Sequence, residues 1–258
     1  MLCRDIMKVI ETTYPKHAAL EWDNVGLLVG RAEKEVKKIY VALDATDEVI
    51  DDAVIREVDM LITHHPLLFS PLKKITDEHF VGSRVVKLLQ HDISYYAMHT
   101  NYDVLGMAEL SGAILGLRDT EVLEVTDMEQ MEGIGRVGSL PAEMTLQKCC
   151  ELVKEKFHLN GVKVFGDMQQ IIKRVAISPG SGKHMTELAI EKGADVFVTA
   201  EIDHHEGIDS VAQGTAVIDA GHYGLEHIFI NDIAEYLQVK LREIEVITAP
   251  NTHPFQLV

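Results

Sequence analysis

The amino-acid sequence predicts an α/β protein with largely parallel or mixed sheets. Short apolar runs of strand type alternate with longer stretches of helical period along the 258 residues. Hydrophobic residues make up 47% of the chain, which is enough to bury a sizeable core. No repeat or low-complexity segment is visible in the sequence. These observations indicate one large domain or two small ones that share a core.

The first half of the chain reads as successive strand–helix units. Leu2, Ile6 and Ile10 lie on one face of a first helix, which ends at Tyr14-Pro15 because proline cannot continue a helix. The next predicted elements are strands at 38–43, 60–63 and 93–98 and helices at 48–57 and 82–90. Consecutive units of this kind build a parallel sheet.

The second half begins after a polar, glycine-bearing segment at 128–135 and continues the alternation. A helix at 145–157 places Leu146, Cys150, Val153 and Phe157 on one face. The remaining predicted elements are helices at 185–192 and 223–237 and strands at 136–140, 162–165, 174–178, 196–199, 216–219 and 244–247.

A glycine turn, PGSGK, lies between Ser178 and His184. It lacks the spacing of a phosphate-binding P-loop, because Gly180 and Gly182 are only two residues apart and Lys183 precedes a histidine instead of serine or threonine. We therefore interpret the segment as a strand-to-helix turn.

The charge and composition exclude several classes of function. With 41 acidic and 24 basic residues the net charge is −17, which argues against nucleic-acid or acidic-membrane binding. No apolar run reaches the ~18 residues of a membrane helix, and Asp5 and Glu11 interrupt the first apolar stretch, so we expect a cytoplasmic protein. The three cysteines lack C-x-x-C spacing and are expected to be small buried residues.

Ligand-type side chains repeatedly follow predicted strands. In open α/β sheets the carboxyl ends of strands are where sites are built. The residues concerned are Asp44, His64, His65, His99, Asn101, Asp103, Glu201, His204, His205, Asp219, His222 and Glu226. Histidine and carboxylate at four separate strand ends indicate a functional site.

The spacing of these residues favours a metal centre. Adjacent side chains such as His64 and His65 diverge from a strand end and can reach two nearby ions. His222 and Glu226 stand four apart at a helix start and share a face. Asp103 adds a carboxylate. Mixed nitrogen and oxygen ligands suit zinc, iron or manganese without choosing among them.

The sequence resembles the family of Ngg-interacting-factor-three-like proteins, whose bacterial members are known as GTP cyclohydrolase type 2 homologues. The matching segments, in chain order, are WDNVGLLVG (22–30), VALDAT (41–46), LITHHPLLF (61–69), MHTNYD (98–103), IGRVGSLPAEMTL (134–146), ADVFVTAEIDHHE (194–206) and VIDAGHYGLEH (217–227). They span nearly the whole chain.

The resemblance implies two intertwined α/β lobes. We expect residues 1–127 plus about 215–258 to form the first lobe, with most metal ligands, and about 128–214 to form a smaller second lobe. It also implies two divalent ions per chain on His64, His65, Asp103, His222 and Glu226, with Glu226 as the bridge, and a homohexamer of two stacked trimers.

Two hypotheses for the function follow. The first is a metal-dependent hydrolase acting on a small molecule; the resemblance points to opening of the guanine imidazole ring of GTP, with His99 or His205 transferring protons. A buried, hydrogen-bonded structural role is the alternative for both histidines. The second hypothesis is a non-catalytic metal-binding scaffold or metal-delivery protein that acts through protein partners.

Overall fold

The computed structural model describes residues 1–255 and confirms the α/β class with mixed sheets. Its elements belong to two compact units: the first contains residues 1–102 and 229–252, and the second contains residues 103–228 with the described residues after 252. No helix in this part of the chain has the length and apolarity needed to cross a lipid bilayer.

The first unit is built on a five-stranded sheet of order β1-β4-β3-β2-β11. Strands β11, β2, β3 and β4 run parallel, and β1 pairs antiparallel with β4. Its elements are α1 (Cys3–Thr13), β1 (Gly26–Val29), β2 (Lys38–Ala42), α2 (Asp47–Ile55), β3 (Met60–Thr63), α3 (Phe80–Gln90), β4 (Ser94–Ala97), the short α4 (Thr100–Tyr102), α10 (Ile228–Lys240, from Phe229 onward) and β11 (Glu245–Thr248).

The second unit is built on a six-stranded sheet of order β5-β6-β8-β9-β10-β7. Strands β8, β9 and β10 run parallel, and the other pairings are antiparallel. Its elements are the π-helical turn Asp103–Met107, α5 (Ala108–Leu115), β5 (Arg118–Asp127), β6 (Glu132–Thr145), α6 (Leu146–Lys156), β7 (Lys163–Phe165), β8 (Ile171–Ser181), α7 (Met185–Glu191), β9 (Val196–Glu201), α8 (His204–Ala212), β10 (Ala216–Asp219) and α9 (His222–Glu226).

Each unit has its own core. In the first, Tyr40, Leu61 and Tyr95 of the central strands are fully buried among the residues of α2 and α3. In the second, α6 packs its apolar face on the sheet through Leu146 and Phe157, as its period predicts. The three cysteines are free and buried, as expected.

The division of the chain differs from the expected lobe boundaries at 127 and 215. Strand β5 pairs with β6, and β10 lies between β9 and β7, so residues 103–127 and 215–228 belong with the second sheet. Asp103, His222 and Glu226 therefore lie in the second unit. The helix expected at 223–237 is two helices, α9 and α10. Strand β5 escaped prediction because its first four residues are polar and exposed at the sheet edge.

The two units share a strand–helix–strand arrangement that is not recognisable as a repeat in the sequence. Asp59 Oδ2 accepts the backbone N–H groups of Lys37 and Lys38, at 2.8 and 3.0 Å, just before β3. Asp195 Oδ2 accepts the N–H groups of Lys173 and Arg174, both at 2.8 Å, just before β9.

The strand ends are also equivalent between the units. Met98 N donates to Thr63 O at 2.9 Å in the first, and Ala220 N donates to Thr199 O at 2.8 Å in the second. The same hydrogen-bonding pattern therefore recurs in both units, although no repeat is visible in the sequence.

This equivalence generates a stability prediction. We expect Asp195→Ala to lower the free energy of unfolding by about 1–3 kcal/mol, because two strand N–H groups lose their acceptor. Asp167→Ala is the matched control: this exposed aspartate accepts one backbone N–H, from Gln169, and should cost under about 0.5 kcal/mol. Urea unfolding followed by circular dichroism measures both, and equal losses would contradict the assignment.

Candidate metal centre

Three histidines of the first unit meet at the carboxyl ends of two adjacent parallel strands. His64 and His65 follow β3, and His99 lies just after β4. One ring nitrogen of each lies within 4.8 Å of the corresponding nitrogens of the other two. The ring centroids are 4.9 Å apart for His64 and His65, 5.2 Å for His64 and His99, and 5.7 Å for His65 and His99.

Each of these imidazoles has its Nδ1 held by an oxygen acceptor. His64 Nδ1 lies 2.9 Å from the carbonyl oxygen of Met98. His65 Nδ1 lies 2.8 Å from Asp44 Oδ1, and His99 Nδ1 lies 2.9 Å from Asp23 Oδ1. Because carbonyl and carboxylate oxygens only accept, Nδ1 carries a proton in each ring, and in the neutral form of the ring the lone pair is on Nε2. Metal-ligating histidines are oriented in this way.

The two carboxylates that hold the rings differ in environment. Asp44 follows β2, and its side chain is 43% exposed. Asp23 lies in the turn before β1, and its side chain is fully buried. Reasoning from strand ends found Asp44 but missed Asp23, which precedes its strand. The only sequence signal for Asp23 was its place in WDNVGLLVG.

Both oxygens of the Asp23 carboxylate are engaged. Oδ1 accepts from His99 Nδ1 and from the backbone N–H of Asn24, and Oδ2 accepts from the backbone N–H and the hydroxyl of Thr100. Burial alone would raise the pKa of Asp23, but the hydrogen bonds from His99 and Thr100 outweigh it and lower the pKa to about 2. The carboxylate is therefore ionised at any physiological pH.

Aromatic rings and a hollow adjoin these histidines. The rings of Trp22 and Phe69 approach His99 edge-on with centroids 5.8 Å away, and they are 63% and 56% exposed. A hollow of about 380 Å³ is lined by residues that include His65, Asp44, Phe69 and Arg84. A volume of this size suits a small-molecule ligand.

In the second unit, His222 and Glu226 share a face of α9. His222 Nε2 lies 2.9 Å from Glu226 Oε2, and His222 Nδ1 lies 3.4 Å from Glu201 Oε1. Glu226 is buried. Strand β8 continues to Ser181, past the predicted strand end at 178, and its penultimate residue approaches Glu226 closely: Gly180 has a φ of +81°, and a Cβ at this position would lie 2.8 Å from Glu226 Oε1. The PGSGK segment therefore packs on a proposed metal ligand, and only glycine fits there.

The remaining predicted residues lie at element ends of the second unit. Asp103 begins the π-helical turn Asp103–Met107. His205 lies in the first turn of α8, where it is exposed and its ring centroid is 5.2 Å from that of His204. The geometry thus brings together His64, His65 and His99 in one unit, and His222 and Glu226 in the other.

The family model described as Duf34/NIF3 (NGG1p interacting factor 3) matches residues 1–254. The chain belongs to the Duf34/NIF3 family. It is 32% identical to a GTP cyclohydrolase 1 type 2 homolog of Clostridium perfringens, over 100% of both chains. It is 36% identical to the protein of the same name from Lactococcus lactis, over 97% of this chain and 98% of that one.

Solved structures of other proteins share the fold. A Bacillus cereus protein related to NIF3 matches with a TM-score of 0.91 and 25% identity, over 100% of this chain and 99% of the other. Reduced HcgD from Methanocaldococcus jannaschii matches with a TM-score of 0.84 and 30% identity, over 96% and 97%. The family resemblance read from the sequence is confirmed.

The lowered pKa of Asp23 generates a pH-dependent prediction. A folded pKa of about 2, below the ordinary value of 3.8, means that the ionised carboxylate stabilises the fold above about pH 4 and that this contribution is lost as pH falls through about 2. We expect Asp23→Asn to lower the free energy of unfolding by about 2 kcal/mol at pH 7 and by much less at pH 2.

Urea unfolding at pH 7, 4 and 2 measures this difference. Asp167→Asn, a change at an exposed aspartate of the second unit, is the control and should have a small effect. A loss for Asp23→Asn that does not change with pH would contradict the prediction.

Proposed function

We propose that this NIF3-family chain is a metal-dependent hydrolase with a dinuclear centre. Two divalent ions, drawn from zinc, iron and manganese, would be held by His64, His65, Asp103, His222 and Glu226. Glu226 would bridge the ions. The proposed ligands come from both units. The family resemblance is what supports placing them at one metal centre.

The chemistry of the donor set fits such ions. The observation that carries the proposal is the cluster of three imidazoles, His64, His65 and His99, whose Nδ1 atoms are all held by oxygen acceptors. A structural histidine needs no neighbour oriented in the same way, whereas metal ligands do. The His222–Glu226 pair adds a nitrogen and a carboxylate on one helix face.

Different residues of the chain would orient the metal ligands and transfer protons. Divalent ions of this class supply Lewis acidity toward water and toward an electrophilic carbon or phosphorus. Asp44 orients His65, and the Met98 carbonyl orients His64, so that both present Nε2. His99 presents an Nε2 lone pair that can accept a proton from the attacking water. His205 is retained as a second candidate for proton transfer.

The substrate we propose is a small molecule of the nucleotide class. Relatives that span the whole chain bear the name GTP cyclohydrolase 1 type 2 homolog, and the hollow beside His65 is of small-molecule size. With a net charge of −17, the chain would bind a polyanion only where the ions offset the repulsion locally.

The metal ligands generate a prediction with two readouts. Glu226→Ala should abolish binding of both ions, because it removes the carboxylate between two dications, and His64→Ala should weaken chiefly one ion. Elemental analysis after metal loading measures the ions, and a panel of nucleotides, phosphoesters and cyclic amides measures turnover, which should fall in both variants.

The control is Glu151→Ala, an exposed glutamate of α6 that should leave both readouts unchanged. Two ions per chain in the Glu226→Ala protein would refute the bridge. Metal-loaded protein that hydrolyses nothing in the panel would favour the scaffold or metal-delivery hypothesis.

The assembly is a separate prediction. We expect a homohexamer of two stacked trimers, with a mass near 173 kDa, about six times the 28.8 kDa chain. Multi-angle light scattering at micromolar concentration, with and without metal, measures the mass. A monomer would contradict the assembly and leave the metal-site proposal unaffected.

A further inference from the structure

A fully buried carboxylate lies beneath His99. Asp23 comes from the turn before β1. Its two oxygens accept three hydrogen bonds from the residue pair His99–Thr100 that follows β4, and one from the backbone N–H of Asn24. Removing a carboxylate from water is unfavourable unless hydrogen-bond donors replace the lost hydration. The donors around Asp23 replace it, and one of them is the His99 ring.

Each hydrogen bond around Asp23 has a defined donor and acceptor. Leu20 N donates to Thr100 Oγ1 at 2.9 Å, so the Thr100 hydroxyl must turn its own proton toward Asp23. Thr100 thus presents two donors to Oδ2, and Oδ1 accepts from His99 Nδ1 at 2.9 Å and from the backbone N–H of Asn24 at 2.8 Å. The edge-on rings of Trp22 and Phe69 flank His99. The Nδ1–H group of His99 consequently donates to Asp23 Oδ1.

We propose that Asp23 is a positioning residue that fixes His99 as the Nδ1–H tautomer, which makes Nε2 the general base of the reaction. The inference rests on the proposed hydrolase function. Nε2 takes one proton from the attacking water while the water oxygen bonds to the electrophilic atom, and the same proton then passes to the leaving group. Asp23 keeps its hydrogen bond and takes no proton.

The geometry alone fixes the tautomer. A carboxylate has no donor, so His99 Nδ1 must carry the proton that lies between it and Asp23 Oδ1. A neutral amide in the same place can present either an oxygen or an NH₂ to His99, so it does not impose one tautomer. Asp44 acts on His65 in the same way, at 2.8 Å, but its side chain is partly exposed, whereas that of Asp23 is fully buried.

Asp23→Asn tests the proposal because it should invert the tautomer. The two donors of Thr100 outnumber the single backbone N–H of Asn24 on the other side, so we expect the amide oxygen to face Thr100 and the amide NH₂ to face His99, which forces Nδ1 to accept. We expect ¹⁵N spectra of histidine-labelled protein, with His99 assigned through His99→Gln, to change from the Nδ1–H to the Nε2–H form. Asp52→Asn, which alters a carboxylate bonded to Tyr40 and Arg56, is the matched control and should leave the His99 signals unchanged.

Turnover provides the second measurement. We expect Asp23→Asn to lower kcat about 10²-fold or more with KM changed little and metal content kept. In the His99→Gln background the same change should lower kcat no further, because Asp23 acts through His99. If the asparagine variant fails to fold, Asp23→Ser serves in its place, with loss of the Nδ1–H preference expected.

The outcomes separate this inference from the function on which it rests. An Asp23→Asn protein that keeps the Nδ1–H tautomer, or that inverts it with unchanged kcat, overturns the inference. An equal further loss in the His99→Gln background also overturns it. Absence of turnover in the wild-type protein refutes the hydrolase function, and the tautomer measurement alone then decides whether Asp23 positions His99.

Discussion

The histidine cluster depends on one constraint: the parallel strands β3 and β4 end at the same edge of the sheet. The hydrogen bond from Met98 N to Thr63 O continues the parallel ladder by one step, so the two strands stop at the same edge of the sheet. Side chains that leave level parallel strands enter the same crevice. His64 and His65 from one strand and His99 from the next are therefore neighbours, although a long loop and α3 separate them in sequence.

The same constraint operates a second time in the chain. Ala220 N donates to Thr199 O. Glu201, the last residue of β9, and His222, which follows β10, contact each other. In each unit the second residue after the equivalent threonine is a ligand-type side chain, His65 in one and Glu201 in the other. One strand–helix–strand arrangement, used twice, thus supplies histidine and carboxylate at both sheets.

The sequence predicted what depends on local periodicity and on sheet edges. The face of α6 and the strand-end histidines follow from these two rules, and both are found in the structure. Strand β5 was missed because a polar edge strand carries no apolar period. Asp23 was missed because it reaches the cluster from the turn before β1, the antiparallel strand, outside the strand-end rule. The recurring arrangement was missed because the two segments have little sequence similarity beyond the equal spacing of Asp59–Thr63 and Asp195–Thr199.

The choice of acceptor for each imidazole follows from burial. His64 is fully buried and uses the neutral carbonyl of Met98, because a second buried charge beside it would have nothing to balance it. His65 uses Asp44, whose exposed part remains hydrated. His99 uses a carboxylate as deeply buried as any in the unit, and the two donors of Thr100 stabilise that charge. His65 and His99 both have a carboxylate acceptor, so charge alone does not distinguish them. The carboxylate at His99 differs because it is fully buried, and it holds the Nδ1–H tautomer that the proposed reaction requires.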